Sequence, residues 1–373
     1  MPWWCCGCFF PPCISEEEIT ALTVNREIER ILKLQKERSR AEIKLLLLGT
    51  GESGKSTFIK QMRIIHGTGF SEQERKFYAR LVHQNIVTCA QSLVWAMETL
   101  QVPYTIQNNQ LNGSMIRELY AFRIQRIEEP HVKAISKLWS DTGIQRCYER
   151  RREFQLLDST NYYLSNLERL TQDGYQPTDE DILRIRMPTT GINEYCFSVE
   201  NMDLRMVDVG GQKSERRKWI HSFENVSALI YLASLSEYDQ KLEENSHENR
   251  MKESFALFRN ILELPWFRET PIILFLNKTD LLEEKIGFSD LSDYFPRFKG
   301  SRCDAEAAKQ FILDIYQEIF DKIRKQDASG KDDLKHKVYH HFTCATDTDN
   351  IRKVFHNVKE AVLVRYLVDF GIL

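Results

Sequence analysis

The stretch Gly49-Thr50-Gly51-Glu52-Ser53-Gly54-Lys55-Ser56 lies between an apolar run at residues 43–48 and a helical pattern at residues 56–66. It fits the phosphate-loop pattern G-x-x-x-x-G-K-S/T, whose context is a strand before it and a helix after it. The glycines let successive N–H groups and the helix N-terminus point at negative charge. A chance glycine turn matches this pattern in roughly one chain in a hundred of this size. We therefore interpret the loop as a phosphate-binding site.

Strand-like runs return at residues 195–199, 204–209, 228–235, 272–276 and 338–343. Helical stretches separate the later runs, and this alternation predicts an α/β fold with a mostly parallel sheet and helices on both faces. Ligands bind such sheets at the carboxyl ends of the strands. The polar segments that follow strands are therefore expected to converge there, namely Asp208–Gln212, Asn277–Asp280 and Thr343–Thr346.

In residues 70–185 the apolar residues recur at helical spacing, and no convincing alternation of apolar and polar residues predicts a strand. Apolar residues recur at helical intervals in two places, Val82, Ile86, Cys89, Leu93, Met97 and Leu100, and then Leu156, Tyr163, Leu167 and Leu170. We predict an inserted all-helical domain over residues 70–185, within an α/β domain made of residues 41–69 and 186–373. At this point in the chain the insertion would cover a ligand held by the phosphate loop and slow its release.

Residues 1–40 are predicted to form a tail and a projecting helix. Ser15 followed by three glutamates is a capping-box start. A narrow apolar stripe then runs among basic residues and consists of Val24, Ile28, Ile31 and Leu32. This stripe favours a helix that docks a partner, with its basic side near anionic lipid. An ordinary surface helix with a solvated face is the alternative.

Four cysteines lie within the first thirteen residues, and they are Cys5, Cys6, Cys8 and Cys13. A disulfide framework is not expected in so long a chain with a nucleotide site, which implies a reducing cytosol. Trp and Phe residues around these thiols suit a membrane interface, where S-palmitoylation would anchor the chain. Pro2 replaces the glycine that N-myristoylation needs. A disordered tail is the alternative before acylation.

The overall charge and the apolar runs bear on two questions, whether the chain binds nucleic acid and whether it spans a membrane. The 373 residues carry a formal net charge of −3 with a pI near 6.4, which gives no support for a nucleic-acid partner. The longest apolar runs, residues 228–235 and 271–276, are too short to span a bilayer.

The phosphate-binding candidates around the loop are Glu52, Ser53, Gly54, Lys55, Ser56 and Thr57. Lys55 would reach the outer phosphates, and the Ser56 hydroxyl would hold Mg²⁺. Asp208 ends an apolar strand, where a phosphate-loop enzyme places the acid that positions Mg²⁺. The backbone N–H of Gly211 can approach a terminal phosphate, and Gln212 can orient an attacking water. An ordinary turn after a strand is the alternative for this second segment.

The segment Asn277-Lys278-Thr279-Asp280 distinguishes between the bases. A carboxylate at the edge of the base, here that of Asp280, accepts hydrogen bonds from the two adjacent N–H groups of guanine, and adenine has no such pair of donors. The four-residue motif is too short to be specific alone, and it becomes specific because a buried strand precedes it and the other motifs accompany it. It argues against a metabolic kinase or ATPase that shares the phosphate loop.

Together these motifs resemble those of heterotrimeric G-protein alpha subunits, most closely the Gq class, over nearly the whole chain from about Ser15 to Leu373. The segments that carry the resemblance are GTGESGKST at Gly49–Thr57, RMPTTG at Arg186–Gly191, DVGGQKSERRKW at Asp208–Trp219, NKTD at Asn277–Asp280 and TCAT at Thr343–Thr346. The resemblance implies a Ras-like GTPase domain of the phosphate-loop NTPase class, with the inserted helical domain and an N-terminal helix.

By this resemblance Arg186 is a built-in arginine finger that pairs with Glu52 at rest, Thr189 is a Mg²⁺ ligand and Gln212 orients water. Asp208 would reach Mg²⁺ through water. The residues implied to contact guanine or ribose are Asp158, Ser159, Leu183, Arg184, Asn277, Lys278, Asp280, Thr343, Cys344, Ala345 and Thr346, with Ala345 giving a backbone N–H to guanine.

The resemblance implies a switch that binds GTP or GDP with Mg²⁺, hydrolyses GTP and couples seven-helix receptors to effectors. Its implied partners are a βγ dimer on the first helix and on switch II (residues 210–219), a receptor at the C-terminus, a phospholipase C-β effector and GTPase-accelerating regulators. Acyl chains would hold it on the cytoplasmic face of the plasma membrane as a peripheral protein. A GTP-binding scaffold without turnover is the alternative, and the presence of both Arg186 and Gln212 argues against it.

Two features depart from the family pattern. The tail at residues 366–373 lacks the asparagine–leucine pair that is usual near the end of Gq-class chains, which leaves receptor choice open. Phe370 stands where Gi-type chains carry a cysteine, so ADP-ribosylation by pertussis toxin at that position is not expected.

Replacing Cys5, Cys6, Cys8 and Cys13 together by Ser should move the protein from the membrane to the soluble fraction. One weak anchor gives only marginal membrane binding, and several thiols allow two. Fractionation of cells that express the parent and the quadruple variant measures this. A quadruple variant that stays on membranes would show that the basic first helix or the βγ partner is the anchor.

Overall fold

Strand β1, Glu42–Leu48, lies near the middle of the sheet and leads directly into the phosphate loop. The computed structural model describes residues 23–31, 42–200, 202–327 and 338–369, with only the backbone of residues 325–327 and 360–369. The other strands are β2 (Ile192–Val199), β3 (Met202–Val209), β4 (Ala228–Ser234), β5 (Ile272–Asn277) and β6 (Tyr339–Thr343).

The six strands lie in the order β2-β3-β1-β4-β5-β6. Neighbouring strands run parallel from β3 through to β6, so the predicted, mostly parallel sheet is confirmed. Strand β2 is antiparallel to β3 and forms one edge. Only residues 200 and 201 separate these two strands along the chain, and so short a connection requires an antiparallel pair.

The helices, numbered in chain order, are α1 (residues 23–31), α2 (Lys55–His66), α3 (Glu72–Thr99), α4 (Asn109–Arg117), α5 (Glu129–Trp139), α6 (Thr142–Glu149), α7 (Thr160–Ser165), α8 (Leu167–Thr171), α9 (Asp179–Arg184), α10 (Arg250–Leu262), α11 (Thr279–Ile286), α12 (Ala305–Asp327) and α13 (Thr348–Asp369). None of these described helices combines the length and the apolar character needed to cross a bilayer.

Both faces of the sheet are covered, which explains why β1 reads as an unbroken apolar run. Leu45 and Leu47 lie on the face that packs against α2 and α13. Leu46 and Leu48 lie on the opposite face, in a core shared with α10, α11 and α12. The alternation of side chains along the strand therefore supplies two separate cores.

The inserted helical domain has a core of its own, organised along the 28-residue helix α3. Ser71 begins this helix with a capping box that involves Glu74, and the predicted apolar positions such as Cys89 and Leu93 are buried on one side of it. Helices α4 to α9 surround that side, and no strand occurs between residues 70 and 191 of the described chain. The domain limits at residues 70 and 185 stay a prediction.

The helical pattern from Leu156 to Leu170 is divided between two short helices rather than continuous. Leu156 precedes α7, and Asn166 separates α7 from α8. The Asn166 backbone leaves helical geometry, with φ −108° and ψ 20°, and its side-chain amide donates to the Tyr162 carbonyl at 2.8 Å. An asparagine that satisfies the preceding turn in this way ends the helix.

Helix α1 exposes the apolar stripe predicted for a docking helix. Val24, Ile28 and Ile31 are 53%, 48% and 44% exposed. Leu32, the capping box at Ser15 and the four N-terminal cysteines lie outside the described residues. The docking role of the stripe stays a prediction.

Asp141 anchors the helical domain at the start of α6. Its carboxylate is fully buried and accepts from Thr105 N and Oγ1, Ile106 N, Asn109 Nδ2 and Gly143 N, at 2.7–3.1 Å. Burial alone would raise the pKa of Asp141. The hydrogen bonds to its carboxylate, of which the one from Asn109 has the largest effect, instead lower the pKa well below its usual range. One side chain thus fixes the 105–109 turn to α6.

Asp141→Ala should reduce the free energy of unfolding by about 2–3 kcal/mol, because it leaves several buried donors without an acceptor. Hydrogen–deuterium exchange of the full chain should show faster exchange in α4 and α6 and unchanged exchange in the sheet. Asp173→Ala, at a side chain that is 93% exposed, is the control. Unchanged exchange in α4 and α6 would remove Asp141 from this role.

Candidate active site

The largest concentration of predicted site residues lines one cavity at the carboxyl ends of β1, β3, β5 and β6. The helical domain and the residues that connect it to β2 form the opposite wall. The predicted residues that line the cavity are Glu52, Gly54, Lys55, Ser56, Thr57, Asp158, Ser159, Leu183, Arg184, Arg186, Thr189, Gly211, Gln212, Asn277, Lys278, Asp280, Cys344, Ala345 and Thr346.

Two predicted residues are absent from the cavity lining and contact Asn277 instead, Ser53 through its backbone carbonyl and Thr343 through its hydroxyl. Ser53 and Thr343 are at most 1% exposed. The Asn277 amide donates to the Ser53 carbonyl at 2.8 Å, and its oxygen accepts from Thr343 Oγ1 at 3.1 Å. The same oxygen accepts from Ala345 N at 3.0 Å, so the N–H expected to reach guanine is engaged within the protein here.

Two glycines, Gly54 in the phosphate loop and Gly211 beside it, have no room for a side chain. Gly54 has φ 104°, and a Cβ on it would lie 2.1 Å from Asn277 Nδ2. Gly211 approaches the loop so closely that a Cβ would lie 2.6 Å from Lys55 Nζ and 2.6 Å from the Thr50 carbonyl oxygen. The absence of a side chain at these positions lets two backbone segments converge on one point, as phosphate binding requires.

Lys55 is a buried cation at the floor of the cavity. Its ammonium donates to the carbonyls of Gly49 at 3.0 Å and Thr50 at 2.8 Å. Burial lowers the pKa of Lys55 to about 8, and the nearby Asp208 opposes that shift. A negatively charged ligand beside this ammonium would compensate the cost of burying it.

The residues proposed for the metal form a compact set of oxygen atoms. Ser56 Oγ lies 2.6 Å from Thr189 Oγ1 and 2.7 Å from Asp208 Oδ2. Asp208 Oδ1 is buried without a hydrogen-bond partner, and oxygen donors of this kind are the ligands that Mg²⁺ prefers. No group of three or more His, Cys, Asp or Glu side chains within the described ranges could hold a metal. Hydroxyl and phosphate oxygens would therefore complete the coordination.

Arg186 makes the expected contact with Glu52, with Nε 3.2 Å from Oε1. Arg250 binds the other oxygen of the same carboxylate. Burial alone would raise the pKa of Glu52, but Arg250 and then Arg186 outweigh it and lower that pKa to about 2. Gln212 lines the cavity nearby, with its side chain half-buried. Glu52 is therefore a carboxylate with two guanidinium partners.

Residues 23–362 match the family model of the G-protein alpha subunit. The chain belongs to the G-protein alpha-subunit family. It is 58% identical over 374 residues to the guanine nucleotide-binding protein subunit alpha-15 of Homo sapiens, a match that spans 100% of this chain and 99% of that protein. The alpha-15 subunits of Rattus norvegicus and Mus musculus are each 56% identical over the same shares. This agrees with the predicted Gq class, to which alpha-15 belongs.

Three residues support the site of this alpha subunit although no motif pointed to them. Asn85 holds the backbone of Arg186, accepting from its N–H at 2.7 Å and donating to its carbonyl at 3.1 Å. Lys60 donates to the carbonyls of Ile182 and Ile185 at 2.9 and 3.0 Å. Arg250, besides Glu52, reaches residue 155 of the helical domain at 2.7 Å. The helical pattern of α2 gave no signal for Lys60, which lies on the face opposite the buried apolar side chains of that helix.

Ion pairs between the two domains close the cavity. Lys278 Nζ lies 2.6 Å from Asp158 Oδ2, and Arg151 lies 2.6 Å from Glu284. Lys278 adopts a left-handed backbone conformation, φ 64° and ψ 45°, which is uncommon for a residue other than glycine. This conformation places the lysine between the base-recognition motif and the helical domain.

Proposed function

We propose that this alpha subunit binds GTP and hydrolyses it to GDP and phosphate, and that the two nucleotide states switch its partners. The observation that carries the proposal is the meeting of Lys55, Arg186, Gln212 and Asp280 around one cavity. The first three are the residue types needed to cradle and cleave a terminal phosphate. The fourth is an acceptor for the two N–H groups on the edge of guanine.

Hydrolysis needs an in-line water and groups that take up charge on the γ-phosphate oxygens. Gln212 would orient the water, and the Gly211 N–H would approach the phosphate. Lys55 and Arg186 would take up charge. Bound Mg²⁺, held by the Ser56 and Thr189 hydroxyls and through water by Asp208, would neutralise phosphate oxygens.

Arg186 must exchange one anion for another during the reaction. In the structure it pairs with Glu52, whose carboxylate also binds Arg250. When Arg186 turns to the phosphate, Glu52 therefore keeps a cationic partner and is not left buried without one. Asn85 holds the Arg186 backbone from both sides, so the side chain can move while its starting point stays fixed.

The two segments that face the γ-phosphate are joined to each other. Gly210 N donates to the Gly191 carbonyl at 3.2 Å, and Gly191 N donates to Glu215 at 2.7 Å. The Trp219 indole donates to the Gly210 carbonyl at 2.8 Å. Loss of the γ-phosphate would thus release residues 186–191 and 210–219 together, as in other switches of this type.

We also propose the partners and the location that the family implies. A βγ dimer would bind α1 and switch II, a seven-helix receptor would bind the C-terminus, and phospholipase C-β would be the effector. GTPase-accelerating regulators would bind the switch regions, and acylated cysteines would hold the chain at the cytoplasmic face of the plasma membrane. The exposed apolar side chains of α1 support the first of these assignments.

Gln212→Leu and, separately, Arg186→Cys should keep GTP binding and nearly abolish its hydrolysis. In nucleoside triphosphatases of this class, alpha subunits included, an arginine finger raises kcat by a factor of about 10³–10⁵. Single-turnover hydrolysis of bound GTP measures the rate. Gln310→Leu, at an exposed position on α12, is the control and should hydrolyse at the parent rate.

A variant at Gln212 or Arg186 that hydrolyses as fast as the parent would remove that residue from the mechanism. If the parent binds GTP without turnover, the alternative of a non-hydrolysing scaffold replaces the proposed function.

A further inference from the structure

A second concavity lies on the helical domain and shares no residue with the nucleotide cavity. Helix α3 lines one side of it with Lys76, Phe77, Arg80 and His83, and two loops add Arg126 and Tyr175 among others. Its volume is about 440 Å³, within the range of small-molecule sites in proteins.

Two side chains that line this concavity contain buried nitrogen atoms without partners among the described residues. His83 is 4% exposed, and its Nδ1 has no hydrogen-bond partner among the described residues. Arg80 Nε is likewise buried and unpaired within the described chain. The Tyr175 ring packs edge-on against His83, with centroids 6.1 Å apart, and limits how the imidazole can turn. Buried polar groups in folded proteins normally have a partner, so both atoms point to a ligand.

The positive charge of the concavity is only partly compensated. Lys76 pairs with Glu72 at 2.9 Å, and Arg126 pairs with Asp173. Arg80 has no carboxylate partner in the described part of the chain. Its guanidinium stacks over the Phe77 ring at 5.5 Å, and its nearest acceptor is residue 125 at 3.4 Å. Arg80 is therefore held in one orientation with donors to spare.

We infer that this concavity binds a phosphate monoester, with Arg80 as its principal donor and with Lys76 and His83 beside it. A guanidinium offers two parallel N–H donors, which match two oxygens of one phosphate. The space exceeds what inorganic phosphate fills, so it has room for the organic group of an ester. Phe77, which is 45% exposed, provides an apolar wall for that group.

The protonation of His83 is compatible with this role. Burial and then the charge of Arg126 lower the pKa of His83 to about 4, so the ring is neutral at pH 7. A neutral imidazole keeps one N–H donor, and Arg80 then supplies the charge that attracts the phosphate. The inference stands apart from the proposed GTPase function, since it uses none of its residues.

A phosphate monoester can come from two sources, which are a soluble ester and a lipid headgroup. The full-length protein is titrated with glycerol 3-phosphate by calorimetry, and separately mixed with phosphatidylcholine vesicles with and without phosphatidic acid. Excess GDP is present throughout, so that the phosphate loop does not bind the probes. Binding of the soluble ester, or binding only of vesicles that contain phosphatidic acid, supports the inference and identifies the source.

The variant for the test is Lys76→Gln with Arg80→Gln, and it should weaken binding at least tenfold. The matched control is Lys133→Gln with Arg123→Gln. Lys133 pairs with a glutamate four residues before it, as Lys76 does, and Arg123 stacks over Tyr120 as Arg80 stacks over Phe77. The control should bind as the parent does.

Two results would overturn the inference. Absence of binding to both probes would mean that water satisfies the buried nitrogen atoms of His83 and Arg80. An equal loss in the test and control variants would mean that the probes respond to general surface charge. Thermal unfolding of each variant in GDP distinguishes lost binding from lost folding.

Discussion

The side-chain amide of Asn277 joins the phosphate loop to the turn that follows β6. It donates to the Ser53 carbonyl and accepts from Thr343 Oγ1 and Ala345 N, and it is 1% exposed. A Cβ on Gly54 would collide with this same amide. The geometry of the phosphate loop and that of the base end of the cavity therefore depend on one buried group. Any residue without both a donor and an acceptor at this position would leave buried backbone groups unpaired.

Buried charge is the second constraint on the site. Lys55 is buried and Lys60 and Glu52 are partly buried, and burial acts against the charged form of all three. Lys60 donates to two carbonyl oxygens, and Lys55 donates to carbonyls of the loop with Asp208 nearby, whereas Glu52 has two guanidinium groups. Such an arrangement is costly in an empty protein and becomes favourable when an anion enters. Of the three, Lys60 also connects the α/β domain to the end of the helical domain, through the carbonyls of Ile182 and Ile185.

Much of the fold and of the site was predictable because local sequence patterns determine it. Short stretches of sequence contain the apolar run before the phosphate loop, the helical spacing in α3 and the polar segments after β3, β5 and β6. The structure has the predicted α/β sheet with a helical insertion. A strand was predicted at residues 195–199, where β2 lies, but its antiparallel direction was not, because periodicity does not encode strand direction. Asn85 and Arg250 escaped prediction because their contacts join residues 101 and 198 positions apart, and no local pattern carries that information.

The most direct measurement is competition between GTP and xanthosine triphosphate for Asp280→Asn and for the parent. Xanthine carries a carbonyl where guanine has its exocyclic amine, so an aspartate there would face an unpaired acceptor, whereas asparagine offers one acceptor and one donor. A buried polar group without a partner costs roughly 1–3 kcal/mol, and more when it is charged, so the preference should shift by more than tenfold toward the xanthine nucleotide. An unchanged preference for GTP in the variant would contradict the account, because Asp280 would then not face the base.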